Sequence, residues 1–431
     1  MAPNRTKNSA RFDEYVTSLF AALSHGDRER PLRDYLAGLL MPGERKSVEP
    51  MAARIDPQNV RARHQSMHHF VASSPWDERA LLSAAREYAL SAMEEHAAIA
   101  AWVVDDTGIP KKGTASVGVA RQYCGVLGKS DNCQVAVSVS LCSATLSMPC
   151  AWRLYLPQEW ADDAARRKRV GVPDEVEFAT KWQIALNQID ELLEDDLPQA
   201  PVVADAGYGA ATAFRDGLRA RSLHYAVGVL PETSVWPEGE GPLPPKARER
   251  TGRPPTRLRR DAKRQPVSAK ALAASLPSES WRTVRWRKGT KGGMESRFAC
   301  ARVRSAHRDY NRHEPREEEW LVIEWPKGEA EPTKYTLSSL PRSTSLEQLV
   351  RLIKLRWRVE RDYQELKGEI GIDHYEGRSW RGFHHHGVLC IAAYAFLVAE
   401  RARLSPPRHL AFLEPARLPK GFRPRGSPDA A

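Results

Sequence analysis

The sequence lacks paired cysteines and any apolar run long enough to cross a membrane. Its six cysteines stand far apart, and no two form the Cys-x-x-Cys pair typical of zinc knuckles and dithiol redox sites. The longest apolar run, residues 388–399, is shorter than the roughly 20 residues that a membrane helix needs. The N-terminus also lacks the apolar segment of a signal peptide. These absences argue against zinc-knuckle, dithiol-redox and membrane-spanning proteins, and they favour the reducing cytoplasm.

An excess of positive charge gives the first indication of a partner. The 431 residues include 65 Lys and Arg against 54 Asp and Glu, for a net charge of +11. Basic proteins attract polyanions, and nucleic acid is the simplest such partner, although solubility alone would account for a modest excess. A chain of this length is expected to form two or three domains.

Changes in composition divide the chain into five predicted regions. Residues 1–95 show helical spacing of apolar residues and basic turns, which suit a helical DNA-binding domain or a plain helical bundle. Strand and helix patterns alternate over residues 96–230 and resume over 336–402, as in an α/β core. Residues 231–335 predict a β-rich insertion with a basic arm, packed beside the core sheet, and 403–431 a disordered tail.

Two predicted strands end in aspartate. The segment AIAAWVVDD places Asp105 and Asp106 at the end of one strand, and PVVADAGYG places Asp205 at the end of another. Open α/β sheets bind ligands at the carboxyl ends of their strands. Asp105 and Asp106 compete for one role, and we prefer Asp105 because Thr107 would be free to brace it. For each acid taken alone, a turn or helix-capping aspartate is the simpler interpretation.

The stretch 349–386 predicts one amphipathic helix with a charged face. Arg356, Glu360, Tyr363 and Lys367 follow one another at steps of four, three and four residues, which places them on one side of a helix. A carboxylate between two cations suits a phosphodiester-cutting site, where the acid binds metal and the cations bind phosphate. For this stretch alone, an exposed helix with ion pairs between successive turns remains the alternative.

Three acids from two strands and a helix predict a site for two divalent cations. Converging carboxylates of Asp105, Asp205 and Glu360 would hold one ion at the attacking oxygen and one at the leaving oxygen. Hard oxygen ligands select Mg²⁺ or Mn²⁺. Glu365 and Glu369 compete for the third position, but they lack the arginine four residues before and the lysine seven residues after.

These motifs resemble those of bacterial insertion-sequence DDE transposases. The subgroup with a Tyr, Arg, Glu and Lys signature is most similar: Arg356, Glu360 and Lys367 match it, whereas Ile353 stands where that signature has tyrosine. The segments DDTGIPKKG, SVGVARQYCGVLGKSDNCQVAVS, VADAGYG and KGEIGIDHYEGRSWRGFHHH extend the resemblance over about residues 28–400. It implies an α/β fold: an RNase H-like mixed sheet flanked by helices, with an N-terminal helical domain and a β-rich insertion.

The resemblance also implies a function. A transposase would cut the ends of a mobile element and join them to new DNA, using Mg²⁺ or Mn²⁺ held by Asp105, Asp205 and Glu360. The residues expected to contact DNA are Arg356, Lys367, Tyr363, Lys111 and Lys112. The implied partners are double-stranded DNA, as terminal inverted repeats and as target, and a second copy of the chain on DNA. We expect the protein in the bacterial cytoplasm, at the nucleoid when bound.

Two other functions stay open at this point. A catalytically inactive DNA-binding regulator derived from a transposase would share these motifs, and metal-dependent nicking would separate it from an active enzyme. A phosphatase with Asp105 as nucleophile would need an Asp-x-Asp pattern, which DDTG does not supply. The run His384–His386 favours phosphate contact or a solvated turn, because imidazoles rarely serve a magnesium site.

Overall fold

The computed structural model describes residues 3–246, 255–289 and 292–404. Much of the basic arm (247–254) and most of the predicted tail (405–431) therefore lie outside the described residues. The helices are α1 (Pro3–Phe20), α2 (Glu29–Leu40), α3 (Val48–Ile55), α4 (Val60–Ala72), α5 (Glu78–His96), α6 (Gln158–Ala161), α7 (Ala164–Val170), α8 (Lys181–Glu194), α9 (Ala206–Gly209), α10 (Thr212–Ala220), α11 (Ala269–Ser275), α12 (Leu346–Ile353), α13 (Trp357–Glu365) and α14 (Trp380–Leu404). The strands are β1 (Ile99–Pro110), β2 (Ala120–Cys124), β3 (Lys129–Ser143), β4 (Ser147–Leu154), β5 (Val202–Ala204), β6 (Tyr225–Val229), β7 (Ser234–Pro237), β8 (Val267–Ser268), β9 (Arg282–Gly289), β10 (Gly292–Ser305), β11 (Glu318–Trp325) and β12 (Lys334–Ser338).

The core of the protein is a mixed sheet in the order β4-β3-β1-β5-β6. β1 pairs antiparallel with β3 and β3 with β4, whereas β5 and β6 run parallel to β1. The residues that precede the aspartates on the central strands, 101–104 of β1 and Val202–Ala204 of β5, are all buried, which is why these segments read as apolar runs. This arrangement confirms the predicted RNase H-like mixed sheet flanked by helices.

The strands of the predicted insertion extend this same sheet. β12 pairs antiparallel with β6, and β11, β10, β7 and β8 continue outward, so the described residues form one twelve-stranded sheet. The prediction of a β unit packed beside the core sheet is wrong on this point. Without β12, β6 would expose a row of unpaired backbone groups at a sheet edge, and pairing across that edge satisfies them.

The N-terminal helices share the hydrophobic core of the sheet. Tyr15 of α1, Leu36 of α2, Trp102 of β1 and Leu389 of α14 belong to one continuous cluster of buried side chains. The hydroxyl of Tyr15 donates a hydrogen bond to the backbone oxygen of Ala392, 2.7 Å away. α14 thus lies between the N-terminal helices and the sheet, and packs against α5 and β4.

None of the helices that the structure describes combines the length and the apolar character needed to cross a membrane.

The three consecutive histidines lie in the core, in the first turns of α14. The backbone N–H of Leu154 donates to Nε2 of His384, and the ring of His385 stacks on Trp76 with centroids 3.6 Å apart. Both ring nitrogens of His386 have hydrogen-bond partners, a tyrosine hydroxyl and a backbone oxygen. Burial lowers the pKa of His384 and His386 to about 4 and that of His385 to about 3. The predicted phosphate contact or solvated turn is therefore wrong, because neighbouring elements cover this part of α14.

Candidate active site

The register of two parallel strands brings the first two predicted acids together. Val104 of β1 is paired with Ala204 of β5, so the next residue on each strand is an aspartate at the same edge of the sheet. Neighbouring strands lie about 4.8 Å apart. β1 continues to Pro110 beside β3, whereas β5 ends at Ala204. Asp105 is therefore held inside a strand, and Asp205 begins a turn.

The turn at Asp205 is fixed by a hydrogen bond and by close backbone packing. Asp205 caps α9, since the N–H of Gly207 donates to its Oδ1 at 2.9 Å. A Cβ on Gly209 would lie 2.0 Å from the backbone oxygen of Gly228 in β6, so this position needs glycine. The capping role that the sequence suggested is thus present, and it leaves Oδ2 of Asp205 directed towards Arg356.

The predicted single helix over 349–386 is wrong, because the stretch is broken in three places. α12 passes into a 3₁₀ segment at Lys354–Arg356, and α13 passes into a π-helical turn at Leu366–Ile370. Gly371, at φ +80°, then ends the helical path before α14 begins. Such changes of pitch turn side chains away from the face that regular spacing predicts. Glu360 lies in the first turn of α13.

One guanidinium joins the three predicted metal ligands. Nη1 of Arg356 lies 3.4 Å from Oδ1 of Asp105 and 3.7 Å from Oδ2 of Asp205. Nη2 lies 3.2 Å from Oε1 of Glu360. Within the described ranges, no other ion pair reaches these three carboxylates. The acids from β1, from the end of β5 and from α13 therefore converge on the same cation.

The three carboxylates differ in their environments. The side chain of Asp105 is 16% exposed, and that of Glu360 is 60% exposed. Burial raises the pKa of Asp105 to about 7; Arg356 lowers it, and the nearby carboxylates of Asp205 and Asp106 raise it further. A buried carboxylate beside other acids is stabilised in its charged form by a cation, and in this structure Arg356 supplies that charge.

The donors suit a hard divalent cation by their chemistry, but their present arrangement surrounds a guanidinium. Carboxylate oxygens are the ligands that Mg²⁺ and Mn²⁺ prefer. In the part of the chain that the structure describes, no group of three or more His, Cys, Asp or Glu side chains is arranged to hold a metal ion. Instead, the terminal nitrogens of Arg356 lie 3.2–3.7 Å from oxygens of Asp105, Asp205 and Glu360.

Asp106 points away from this cluster. Its Oδ2 accepts a hydrogen bond from Nζ of Lys181 at 2.8 Å, as expected for neighbours on a strand whose side chains face opposite sides. The geometry therefore favours Asp105 as the acid of the cluster. Oδ1 of Asp105 accepts from the backbone N–H of Asp106 at 3.0 Å. The expected bracing of Asp105 by Thr107 does not occur among the described hydrogen bonds.

The competing glutamates do not join the cluster. Oε2 of Glu365 lies 2.7 Å from Nη1 of Arg401, and its Oε1 lies 3.1 Å from Nε of Arg361. Glu369 lines a different cavity, between the π-helical turn and the segment that follows α2. Of the acids considered on this stretch, Glu360 is the one that shares Arg356 with Asp105.

The predicted DNA-contacting residues differ in their exposure and in their contacts. Tyr363 is only 6% exposed and packs against Trp152, so little of its ring is open to DNA, and its contact with DNA stays a prediction. Lys367 donates to the backbone oxygen of Gly108 at 2.9 Å, and Lys111 to that of Tyr375 at 2.7 Å. Burial lowers the pKa of both lysines. By contrast, Lys112 is exposed.

A cavity adjoins the acids on the side of the extended sheet. It has a volume of about 380 Å³, and its lining includes Asp205, Glu360 and Trp286. The β9–β10 hairpin forms one wall, where the guanidinium of Arg287 lies 3.7 Å from the ring centroid of Trp357. This contact was not predictable from the sequence, because the hairpin and α13 are far apart along the chain and only the long sheet brings them together.

Comparison with known proteins places the chain in a family of DNA-processing enzymes. A family model described as "DDE superfamily endonuclease" matches residues 18–293, more than half of the chain, and the chain therefore belongs to that family. The match includes Asp105 and Asp205 and ends before Glu360.

One curated relative is described as "Probable transposase for insertion sequence element IS701", from Microchaete diplosiphon. It is 31% identical to this chain over 193 residues, which are 44% of this chain and 46% of the relative. The chain thus spans about half the length of the relative that it matches.

Proposed function

We propose that the protein is a transposase that cleaves DNA strands at the ends of an insertion sequence and transfers them to target DNA. Asp105, Asp205 and Glu360 are the proposed ligands of Mg²⁺ or Mn²⁺. The observation that carries the proposal is the convergence of these acids, from two strands and a helix, on one cation in a chain of the DDE endonuclease family.

Each residue contributes to the reaction through its position. Strand pairing fixes Asp105, and the capped turn fixes Asp205, so two ligands are held before substrate arrives. Glu360 is exposed and would complete the set from α13. Divalent cations, when bound, would polarise the attacking and leaving oxygens of the phosphodiester. Water would attack first, and the freed 3′-hydroxyl would then attack the target strand.

The charge of the chain supports DNA as the substrate. Its net charge is +11, and Lys112 lies exposed a few residues beyond Asp105. We assign DNA-end binding to residues 1–95, whose helices share the hydrophobic core of the sheet. Two element ends must be held together during transposition, so we expect two copies of the protein to bind DNA as a dimer. We expect this complex at the nucleoid of the bacterial cytoplasm.

A catalytically inactive DNA-binding regulator is the second candidate. One observation favours it: among the described residues, no group of three or more His, Cys, Asp or Glu side chains is arranged to hold a metal ion. Such a regulator would bind element ends but would not cut them with any divalent cation.

Nicking of a plasmid that carries the flanking genomic DNA of the gene tests the proposal. The protein should nick it with Mg²⁺ and not with a chelator, and Asp105→Asn should abolish nicking. Asp106→Asn is the matched control; it alters the neighbouring acid, which pairs with Lys181, and should retain most of the activity. DNA binding without nicking by the unaltered protein would favour the regulator instead.

A further inference from the structure

Arg356 stands where the proposed metal ions would need to be. Its two terminal nitrogens lie 3.2–3.7 Å from oxygens of Asp105, Asp205 and Glu360. The guanidinium thus offsets part of the negative charge of the acids without a metal. A divalent cation held by the same oxygens would lie within a few ångströms of a like charge, which opposes its binding.

The neighbouring cations cannot take over this role. Lys181 pairs with Asp106, and Lys367 and Lys111 donate to backbone oxygens. In the ranges that the structure covers, Arg356 is therefore the cation that is paired with the three acids.

Arg356 also borders open space that a DNA phosphate could enter. Its side chain is 30% exposed, and it lines the cavity of about 380 Å³ beside Asp205 and Glu360. A guanidinium binds phosphate well, because its planar donors can form two parallel hydrogen bonds to phosphate oxygens. A DNA backbone entering the cleft would offer Arg356 an anion in exchange for the carboxylates.

We propose that Arg356 is a charge gate that couples metal loading to DNA binding. Without DNA it pairs with Asp105, Asp205 and Glu360 and weakens their affinity for divalent cations. When a DNA phosphate binds the guanidinium, the acids are released to take up metal. The inference rests on the proposed function, since it treats the acids as metal ligands and DNA as the anion.

The gate predicts a reciprocal coupling between two ligands. If DNA strengthens metal binding, then metal must strengthen DNA binding by the same factor. Both effects should shrink when the guanidinium is removed, and the remainder should come from direct contact between the cations and the phosphodiester. A protein of this kind would hold little metal away from DNA, and its nuclease site would assemble only on a substrate.

Direct measurement of Mn²⁺ binding to the full chain tests the gate without relying on activity. We expect Arg356→Ala to bind Mn²⁺ roughly 5- to 150-fold more tightly than the unaltered protein in the absence of DNA, the usual range for coupled sites. Arg361→Ala is the matched control, because Arg361 is an exposed arginine of α13 that pairs with Glu365. It should leave Mn²⁺ affinity unchanged.

The second part of the test adds a DNA duplex of mixed sequence. It should tighten Mn²⁺ binding by the unaltered protein more than binding by Arg356→Ala, and equal tightening of both proteins would refute the gate. If the alanine variant does not fold, as judged by its thermal unfolding, Arg356→Gln removes the charge while keeping hydrogen-bond donors and should change Mn²⁺ affinity in the same direction.

Glu360→Gln, alone and combined with Arg356→Ala, separates failure of the gate from failure of the proposed function. If Glu360→Gln weakens Mn²⁺ binding but Arg356→Ala does not strengthen it, the acids bind metal and the gate is refuted. If Glu360→Gln changes Mn²⁺ binding in neither background, the acids are not the metal site, and the proposed function fails together with the gate.

Discussion

Replacing Asp105 by asparagine should stabilise the metal-free protein at neutral and alkaline pH. The carboxylate is buried next to other acids, and its pKa rises from 3.8 to about 7. The folded protein therefore keeps a proton that the unfolded chain releases near pH 4. The contribution of this proton to the folding free energy is fully present below about pH 4 and is lost as the pH rises through 7. Asparagine has no such proton and avoids this loss.

The size of the effect follows from the change in pKa. At about 1.4 kcal/mol per pKa unit, the rise from 3.8 to about 7 corresponds to roughly 4 kcal/mol of folding free energy once Asp105 is ionised. Part of this difference is already present at pH 5. The stability gap between Asp105→Asn and the unaltered protein should therefore widen by about 3 kcal/mol between pH 5 and pH 8.

Urea unfolding in a buffer with chelator measures this gap. The midpoint of the variant should exceed that of the unaltered protein increasingly as the pH rises, with a similar dependence on urea concentration. Asp106→Asn is the control: Asp106 is partly exposed and paired with Lys181, and its loss should cost about 0–1 kcal/mol. A gap between Asp105→Asn and the unaltered protein that stays constant with pH would refute the argument.

Three further predictions concern the core, the turn at Asp205 and the DNA surface. Burial lowers the pKa values of His384–His386 below 6.5, so the unfolded chain takes up protons that the folded protein does not. The unfolding free energy should therefore be highest above pH 6.5 and fall towards pH 4, by up to about 1.4 kcal/mol per histidine per pH unit. An unfolding free energy that does not change over this window would contradict the prediction. Gly209→Ala should lower the unfolding free energy by about 1–3 kcal/mol, because the added Cβ would meet the backbone oxygen of Gly228. Gly26→Ala is the control, since a Cβ there meets open space. Equal urea midpoints for the two variants would refute the prediction. Lys112→Ala should reduce the log–log salt dependence of DNA binding by about 0.9 if it contacts one phosphate, and gel shifts across a salt series would show an unchanged slope if it does not.

The sheet was predictable because its evidence is local. Each core strand is a short apolar run followed by a turn or a helix pattern, and that alternation defines an α/β fold. Strand pairing is not local, so the sequence could not show that Lys334–Ser338 would pair with β6 and draw the β-rich segment into the same sheet.

The parts of the candidate site that lie on one element were also predictable, and those that depend on distant elements were not. The spacing of four residues placed Arg356 beside Glu360, but the nearness of Arg356 to Asp105 depends on how α13 packs over the sheet. The π-helical turn placed Lys367 against Gly108, and α14 carried three histidines into the core although their polarity suggested exposure.

The most direct test of the account compares two glutamates of α13. Glu360→Gln removes a proposed metal ligand while keeping its size, and Glu365→Gln alters a glutamate bound instead to Arg401 and Arg361. Nicking of end-containing DNA with Mg²⁺ and gel shifts on the same samples would be measured together. We predict that Glu360→Gln loses nicking but binds DNA nearly as well as the unaltered protein, whereas Glu365→Gln still nicks. Wild-type nicking by Glu360→Gln would contradict the catalytic assignment.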